Sequence, residues 1–122
     1  LDIYEKCGDR LTILSGDDFV VAPLIACGAR GVISVSSNVA PRHMADLVAA
    51  GLKGDFAKAR EIQLQLNPLH RMLFVESNPI PVKMGLHLMG KFPTTEIRPP
   101  LCVMTDPNAA KLKEELQRLK LL

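Results

Sequence analysis

The stretch that decides the fold of this chain is residues 31–41, which read GVISVSSNVAP. It opens with apolar, β-branched residues, and a short run of this kind bounded by turn residues is typical of a strand covered on both faces. Ser36 and Asn38 then supply turn and capping side chains, and Pro41 suits the first turn of a helix. The stretch predicts a strand over 31–35 that leads directly into a helix, which is half of a β/α unit. In α/β folds, ligands gather at that end of a strand.

A second β/α unit is predicted just upstream. Residues 11–14 form another apolar run, and the turn sequence SGDD at 15–18 closes it. The apolar stretch over 19–27 has about the length of one crossover helix, so the two strands should be parallel neighbours. Their carboxyl ends would then meet at one edge. The residues expected close together there are Gly16, Asp17, Ile33 and Ser34.

Helices are predicted for most of the remaining chain, because apolar residues recur at helical spacing. Asp55 and Asn78 are the expected N-caps of two of them. Pro23 implies that the crossover helix starts late or with an irregular first turn. The predicted helices span about 41–50, 56–73, 79–89 and 106–119, with an extended connection over 91–103. The apolar stripe of the longest one includes Ile62, Leu66, Leu69 and Leu73.

The composition excludes several classes of protein. The 122 residues suffice for one ordinary domain, and the net charge of +2, with no basic run interleaved with aromatics, does not indicate a nucleic-acid partner. No stretch is apolar and long enough to span a bilayer, and no signal peptide is visible. Three widely spaced cysteines suggest neither a metal site nor disulfides, so we expect a reducing cytoplasm. They are Cys7, Cys27 and Cys102.

The ionisable residues give no sign of a metal or cofactor site. The three histidines lie on different predicted helices with no second ligand at i+4, so all three are expected at the surface or an interface. They are His43, His70 and His87. Asp17 and Asp18 are adjacent in sequence, so their carboxylates should point in different directions rather than form an acid/base pair.

Two parallel strands are too few for a stable sheet that is covered on both faces. We therefore expect the missing strands to lie upstream of residue 1 or to come from another chain. The first residue is Leu rather than Met, which is consistent with a piece of a longer chain or a processed one.

Three motifs in register resemble a known family. They are LSGDD at 14–18, GVISV at 31–35 followed by Asn38-Val39, and NPIPVK at 78–83. Together they are similar to the C-terminal part of the dihydrodipicolinate synthase family, also called 4-hydroxy-tetrahydrodipicolinate synthase. The resemblance implies an α/β fold, with residues 1–52 as the last two β/α units of a (β/α)8 TIM barrel. Residues 53–122 would form a small helical C-terminal domain.

The resemblance also implies the activity of the complete protein. It would be a lyase of the lysine and diaminopimelate pathway that condenses pyruvate with aspartate semialdehyde through a lysine Schiff base. It would need no separate cofactor, and many members are homotetramers. The family's Schiff-base lysine would lie before residue 1, and Tyr4, the only tyrosine, does not match the tyrosine of the family's proton relay. This segment alone should therefore be inactive.

Four residues are predicted to bind substrate, and none is predicted to be catalytic. Ile33 matches the family residue whose main chain lines the pyruvate pocket, although packing alone would explain it without the resemblance. Gly16 would let the backbone turn or approach a ligand. Asp17 would orient a polar substrate group or cap a helix, and Asn78 would reach the pocket mouth or cap its own helix.

Other functions stay open on the sequence. The protein could be another pyruvate-dependent class I aldolase, such as an N-acetylneuraminate lyase or a keto-deoxy-sugar aldolase. A small α/β binding domain with a cation at Asp17-Asp18 is a different class, and a purely structural helical module that completes a partner's sheet is a third.

Overall fold

Two short parallel strands form the only sheet of the computed structural model, which describes residues 1–122. Strand β1 (Leu14–Ser15) pairs with strand β2 (Gly31–Val32), with Leu14 opposite Gly31 and Ser15 opposite Val32. The main-chain N–H of Ile33 donates to the Ser15 carbonyl at 2.8 Å, which continues the ladder beyond β2. The prediction that the two strands are parallel neighbours is confirmed.

Both strands are shorter than predicted. Strand β1 begins at Leu14 rather than at residue 11, because residues 11 and 12 have no partner strand beside them, and Leu11 is 53% exposed. Strand β2 ends at Val32 rather than at residue 35, because Val35 adopts helical dihedral angles. The main-chain N–H groups of Val35 and Ser36 turn away from a ladder position toward the Asp18 side chain.

Six α-helices and three single 3₁₀ turns make up most of the chain. The helices are α1 (Asp2–Cys7), α2 (Val21–Ala26), α3 (Pro41–Leu52), α4 (Phe56–Leu73), α5 (Ile80–Leu88) and α6 (Asp106–Arg118). The 3₁₀ turns are Gly8–Arg10, Asp18–Val20 and Ser36–Asn38. The crossover helix has the irregular start that Pro23 implied, since a 3₁₀ turn precedes α2. Pro23 lies in the first turn of α2, where its missing N–H costs no helical hydrogen bond.

The caps of α4 and α5 differ in how well the sequence predicted them. Asp55 caps α4 as expected, because its side chain accepts a hydrogen bond from the Lys58 main-chain N–H at 3.0 Å. The prediction that Asn78 caps α5 is wrong. The residue that precedes the first helical turn is Pro79, and no side chain caps this helix, so Asn78 lies one residue too early.

One apolar cluster of 19 buried residues extends from Val21 to Leu119. It is built from the apolar faces of α3, α4 and α6 together with residues of α2, α5 and the connecting segments. The predicted stripe of α4 is buried, with Leu66, Leu69 and Leu73 fully inaccessible. Close approach of two helices depends on Gly51, because a Cβ there would lie 3.0 Å from Ile25 Cγ2.

A carboxylate joins the loop after α4 to the start of α6. The Glu76 side chain accepts hydrogen bonds from the Thr105 main chain at 3.2 Å, the Thr105 hydroxyl at 2.7 Å and Asn108 Nδ2 at 2.7 Å. These bonds lower the pKa of the Glu76 carboxyl, with the Asn108 bond the largest cause.

Among the helices, none combines the length and the apolar character that crossing a bilayer requires.

We expect the substitution Leu66→Ala to lower the free energy of unfolding of the complete protein by about 2–5 kcal/mol. The side chain is fully buried, so the loss combines transfer and cavity terms. Denaturant unfolding measures it. The exposed Leu64 on the same helix is the matched control, since Leu64→Ala removes the same atoms from a side chain that is 60% accessible. Equal losses for the two variants would contradict the packing described above.

Candidate functional site

The carboxyl ends of the two strands lie side by side. The pairing of Ser15 with Val32 places Gly16 and Ile33 as the next residues on each strand, at the same edge of the sheet. Ile33 is 71% exposed in this chain, although it is apolar and follows a buried glycine and a half-buried valine. Of the predicted site residues, the register therefore brings Gly16 and Ile33 together.

The Asp17 side chain caps the 3₁₀ turn that follows β1. Its Oδ1 accepts a hydrogen bond from the Phe19 main-chain N–H at 2.8 Å. The Ser15 hydroxyl donates to the Asp17 carbonyl at 2.7 Å, which fixes the turn from the other side. Asp17 is an exposed residue, so its capping role leaves the side chain open to solvent, and a role in substrate binding stays a prediction.

Asp18 has the opposite environment from its neighbour. It is 1% exposed, and its Oδ2 accepts hydrogen bonds from the main-chain N–H groups of Val35 and Ser36, both at 3.0 Å. The two adjacent carboxylates thus point in different directions, as predicted. A cation held jointly by Asp17 and Asp18 does not fit this arrangement, and no group of three or more His, Cys, Asp or Glu side chains converges elsewhere.

Two polar side chains of α4 reach the turns that follow the two strands. His70 Nδ1 lies 2.7 Å from Ser36 Oγ, and His70 is fully buried. Gln63 Nε2 donates to the Asp18 carbonyl at 2.8 Å, and Gln63 Oε1 accepts from the Ala22 main-chain N–H at 3.2 Å. Helix α4 is therefore attached to both strand ends by buried hydrogen bonds as well as by apolar packing.

The expectation that all three histidines lie at the surface or an interface is wrong for His70. It lies on the buried stripe of α4, four residues after Leu66 and three before Leu73. The ring of Phe19 packs edge-on against the imidazole, with 5.5 Å between the ring centroids. The same helical spacing that identified the apolar stripe could have found it. His87 Nδ1 donates to the Phe92 carbonyl at 3.0 Å, and His87 is half-buried.

Burial lowers the pKa of the His70 imidazole below its ordinary value of 6.5. Desolvation is the main cause, because it disfavours the charged form. The carboxylates of Asp18 and Asp17 oppose it, and Arg71 adds to it. The imidazole therefore resists protonation at pH values where an exposed histidine would be charged.

The predicted residue Asn78 lies in a different place from Gly16 and Ile33. It lines a groove of about 480 Å³ between the end of β2 and helix α5. Ser34 and Val35 line the same groove, together with Lys83, whose Nζ donates to the Glu96 carbonyl at 3.1 Å. Ile33, Gly16 and Asp17 do not line it. The segment after β2 thus has Ile33 on one side and the groove with Asn78 on the other.

None of the lysines lies in a strand. Desolvation within an apolar strand is one way to lower the pKa of a lysine so that it forms an imine. Seven of the lysines are exposed and Lys83 is half-buried. The full set is Lys6, Lys53, Lys58, Lys83, Lys91, Lys111, Lys113 and Lys120.

The low pKa of His70 predicts how stability changes with pH. Below about pH 6.5 the unfolded chain takes up a proton at this histidine before the folded chain does, so the free energy of unfolding should fall as the pH is lowered below about 6.5. Above that value the contribution is constant. Denaturant unfolding of the complete protein at several pH values measures it.

The variant His70→Asn should reduce this pH dependence, because asparagine does not titrate. Leu66→Ala should lower the stability at every pH and leave the slope as it is in the wild type. If His70→Asn has the wild-type slope, the buried imidazole is not the titrating group.

Comparison with known proteins gives the family. The model of the dihydrodipicolinate synthetase family matches residues 1–119. The 4-hydroxy-tetrahydrodipicolinate synthase of Geobacter sulfurreducens is 46% identical over 121 residues, which cover 99% of this chain and 41% of that protein. The one from Syntrophobacter fumaroxidans is 47% identical, with 99% and 42% covered.

Solved structures agree with the sequence comparison. Dihydrodipicolinate synthase from Aquifex aeolicus superposes with a TM-score of 0.94 at 44% identity, covering 98% of this chain and 41% of that one. The chloride-inhibited enzyme from Acinetobacter baumannii, complexed with pyruvate, superposes with a TM-score of 0.93 at 34% identity. The match covers 99% of this chain and 41% of that one. This chain spans about two fifths of the length of the relatives that it matches. By sequence and by structure, the chain belongs to the dihydrodipicolinate synthetase family.

Proposed function

We propose that the complete protein is a 4-hydroxy-tetrahydrodipicolinate synthase. It condenses pyruvate with L-aspartate-4-semialdehyde through a lysine Schiff base, in lysine and diaminopimelate biosynthesis. The observation that carries this proposal is the identity of 46–47%, extending over 99% of the chain, with relatives of that name. The pyruvate complex of the Acinetobacter baumannii relative supports pyruvate as one substrate.

The proposed fold of the complete protein is a (β/α)8 barrel. Residues 1–52 would be its last two β/α units, with β1 and β2 as the seventh and eighth strands, and residues 53–122 would form the helical C-terminal domain. The exposed apolar side chains around the short sheet support this proposal. Leu11, Leu14 and Ile33 are 53%, 46% and 71% accessible, and neighbouring barrel strands would cover such surface.

In this proposal the 122 residues form part of the pyruvate pocket and do not hold the imine. The lysine amine would add to the pyruvate ketone and water would leave, and that lysine belongs to the part of the protein before residue 1. The absence of a lysine from β1 and β2 supports this division.

The four predicted site residues would have different tasks. Ile33 and Gly16 would contribute main chain and shape at the barrel mouth, and their adjacent positions just after β2 and β1 support this. Asp17 would face the substrate with the carboxylate oxygen that its cap leaves free, and Asn78 would contribute from the groove beside α5.

We also propose a homo-oligomer in the cytoplasm. One solved relative is described as the first monomeric dihydrodipicolinate synthase variant, which supports an oligomer as the usual state of the family. The proposed number is four subunits. Sedimentation equilibrium of the complete protein tests it, and a monomer at micromolar concentration would contradict it.

Borohydride trapping tests the Schiff base and its location. The complete protein, reduced in the presence of pyruvate, should gain one reduced pyruvyl group on a lysine outside the 122 residues. The 122-residue chain, treated in the same way, should keep its mass. Peptide mass spectrometry locates the adduct, and a specific adduct on any lysine numbered here would refute the proposal.

The identity of the second substrate separates this proposal from a related aldolase. Turnover with aspartate semialdehyde is expected. Trapping of pyruvate combined with turnover of N-acetylneuraminate or a keto-deoxy sugar, and none with the semialdehyde, would assign the protein to another member of the superfamily.

Substitutions at Ile33 test the proposed pocket wall. Ile33→Val keeps the β-branch and removes one methyl group. We therefore expect it to lower the free energy of unfolding by at most about 0.5–1.5 kcal/mol and to have a mild effect on pyruvate affinity. Ile33→Asp puts a carboxylate beside the negative charge of pyruvate in a poorly solvated place, so we expect a raised Michaelis constant for pyruvate. Pyruvate affinity per folded molecule measures both, and a wild-type value in folded Ile33→Asp would remove Ile33 from the site.

A further inference from the structure

Three buried polar residues are linked by hydrogen bonds at the strand ends. They are Asp18, Ser36 and His70, which are 1%, 0% and 0% exposed. Each comes from a different element: the turn after β1, the turn after β2 and helix α4. We call this set the strand-end brace.

The brace holds the segment after β2 by its main chain. Asp18 Oδ2 accepts from two successive N–H groups, those of Val35 and Ser36, both at 3.0 Å. Both donors follow Ile33 by only two and three residues. The position of the Ile33 main chain is therefore fixed at one end by its bond to the Ser15 carbonyl and at the other by Asp18.

Ser36 is held from two directions. Its N–H donates to Asp18, and its hydroxyl lies 2.7 Å from His70 Nδ1. The neighbouring Ser37 secures the same turn locally, since its N–H donates to Ser34 Oγ at 2.8 Å. His70 is the one member of the brace that comes from the C-terminal helices, so its hydrogen bond to Ser36 connects α4 to the turn after β2.

Packing alone does not explain these residue types. Two polar atoms of the brace, Asp18 Oδ1 and His70 Nε2, are buried without a hydrogen-bond partner within this chain. Such atoms are rare in native structures because each carries a desolvation cost that an apolar residue avoids. A buried polar network does, however, specify one arrangement of the elements that it joins. A need for accurate placement of the turn after β2 would account for the desolvation cost of these polar atoms.

We propose that the strand-end brace positions the main chain of residues 33–36, and that His70 acts through Ser36 as a positioning residue for pyruvate binding. The second half rests on the proposed function, while the first half concerns this chain alone. His70 touches no substrate in this arrangement. Its effect is on the geometry of the pocket wall.

Three variants of the complete protein test the proposal. His70→Leu fills the space and leaves the Ser36 hydroxyl without its partner. His70→Asn keeps a polar atom near the position of Nδ1 and should restore much of the wild-type behaviour. Leu66→Ala is the control, because it destabilises the same buried face of α4 without belonging to the brace.

Hydrogen exchange tests the first half without any assay of activity. In His70→Leu, a peptide that includes Val35 and Ser36 should exchange faster than in the wild type, and His70→Asn should be close to the wild type. Leu66→Ala, compared at a temperature where every variant is folded, should not show a selective increase there. Unchanged exchange in His70→Leu, or an equal increase in Leu66→Ala, would overturn the proposal.

Steady-state kinetics test the second half. We expect His70→Leu to raise the Michaelis constant for pyruvate about tenfold, the effect of roughly one lost hydrogen bond, with a smaller change in kcat. His70→Asn should recover most of this loss, and Leu66→Ala should lower activity only in proportion to folded protein. A wild-type Michaelis constant in His70→Leu would overturn the positioning role. If the wild-type protein traps no pyruvate, the proposed function and the role of His70 in pyruvate binding are both overturned. Hydrogen exchange would still test whether the strand-end brace positions the main chain of residues 33–36.

Discussion

The hydrogen bonds from two successive main-chain N–H groups to one oxygen of Asp18 are the constraint on which the strand-end region depends. They hold the chain after β2 in a turn, because N–H groups that donate to Asp18 cannot also donate to a neighbouring strand. They also join the turn after β1 to the turn after β2, and the two β/α units become one unit at that edge. Burial strengthens the constraint, since a buried amide that loses its acceptor there cannot turn to water instead.

Helix α4 takes part in this arrangement in two ways. Its apolar stripe fills the core through residues such as Leu66 and Leu73, while Gln63 and His70 on the same face reach the strand-end turns. The C-terminal helices therefore do more than cover the sheet. They carry two buried polar side chains that bond to the turns after β1 and β2.

The strand ends divide the predicted site into two neighbouring regions. Gly16 and Ile33 share the edge of the sheet, and Asn78 lies with Ser34 and Val35 in the groove beside α5. The segment after β2 forms a wall of both. Apolar residues around this short sheet are exposed, and in the proposed barrel further strands would cover them.

The sequence alone determined the parallel pairing, the helices and the apolar stripe of α4, because periodic burial and turn residues are local signals. Its three motifs determined the family. The tertiary structure decided the ends of the strands, the capping of α5 and the hydrogen bond of His70. Spacing places His70 on the buried stripe, but only the fold shows that Ser36, 34 residues earlier, supplies its partner. A hydrogen bond between distant residues leaves no local pattern, because neither Ser36 nor His70 shows in its own sequence surroundings which residue is its partner.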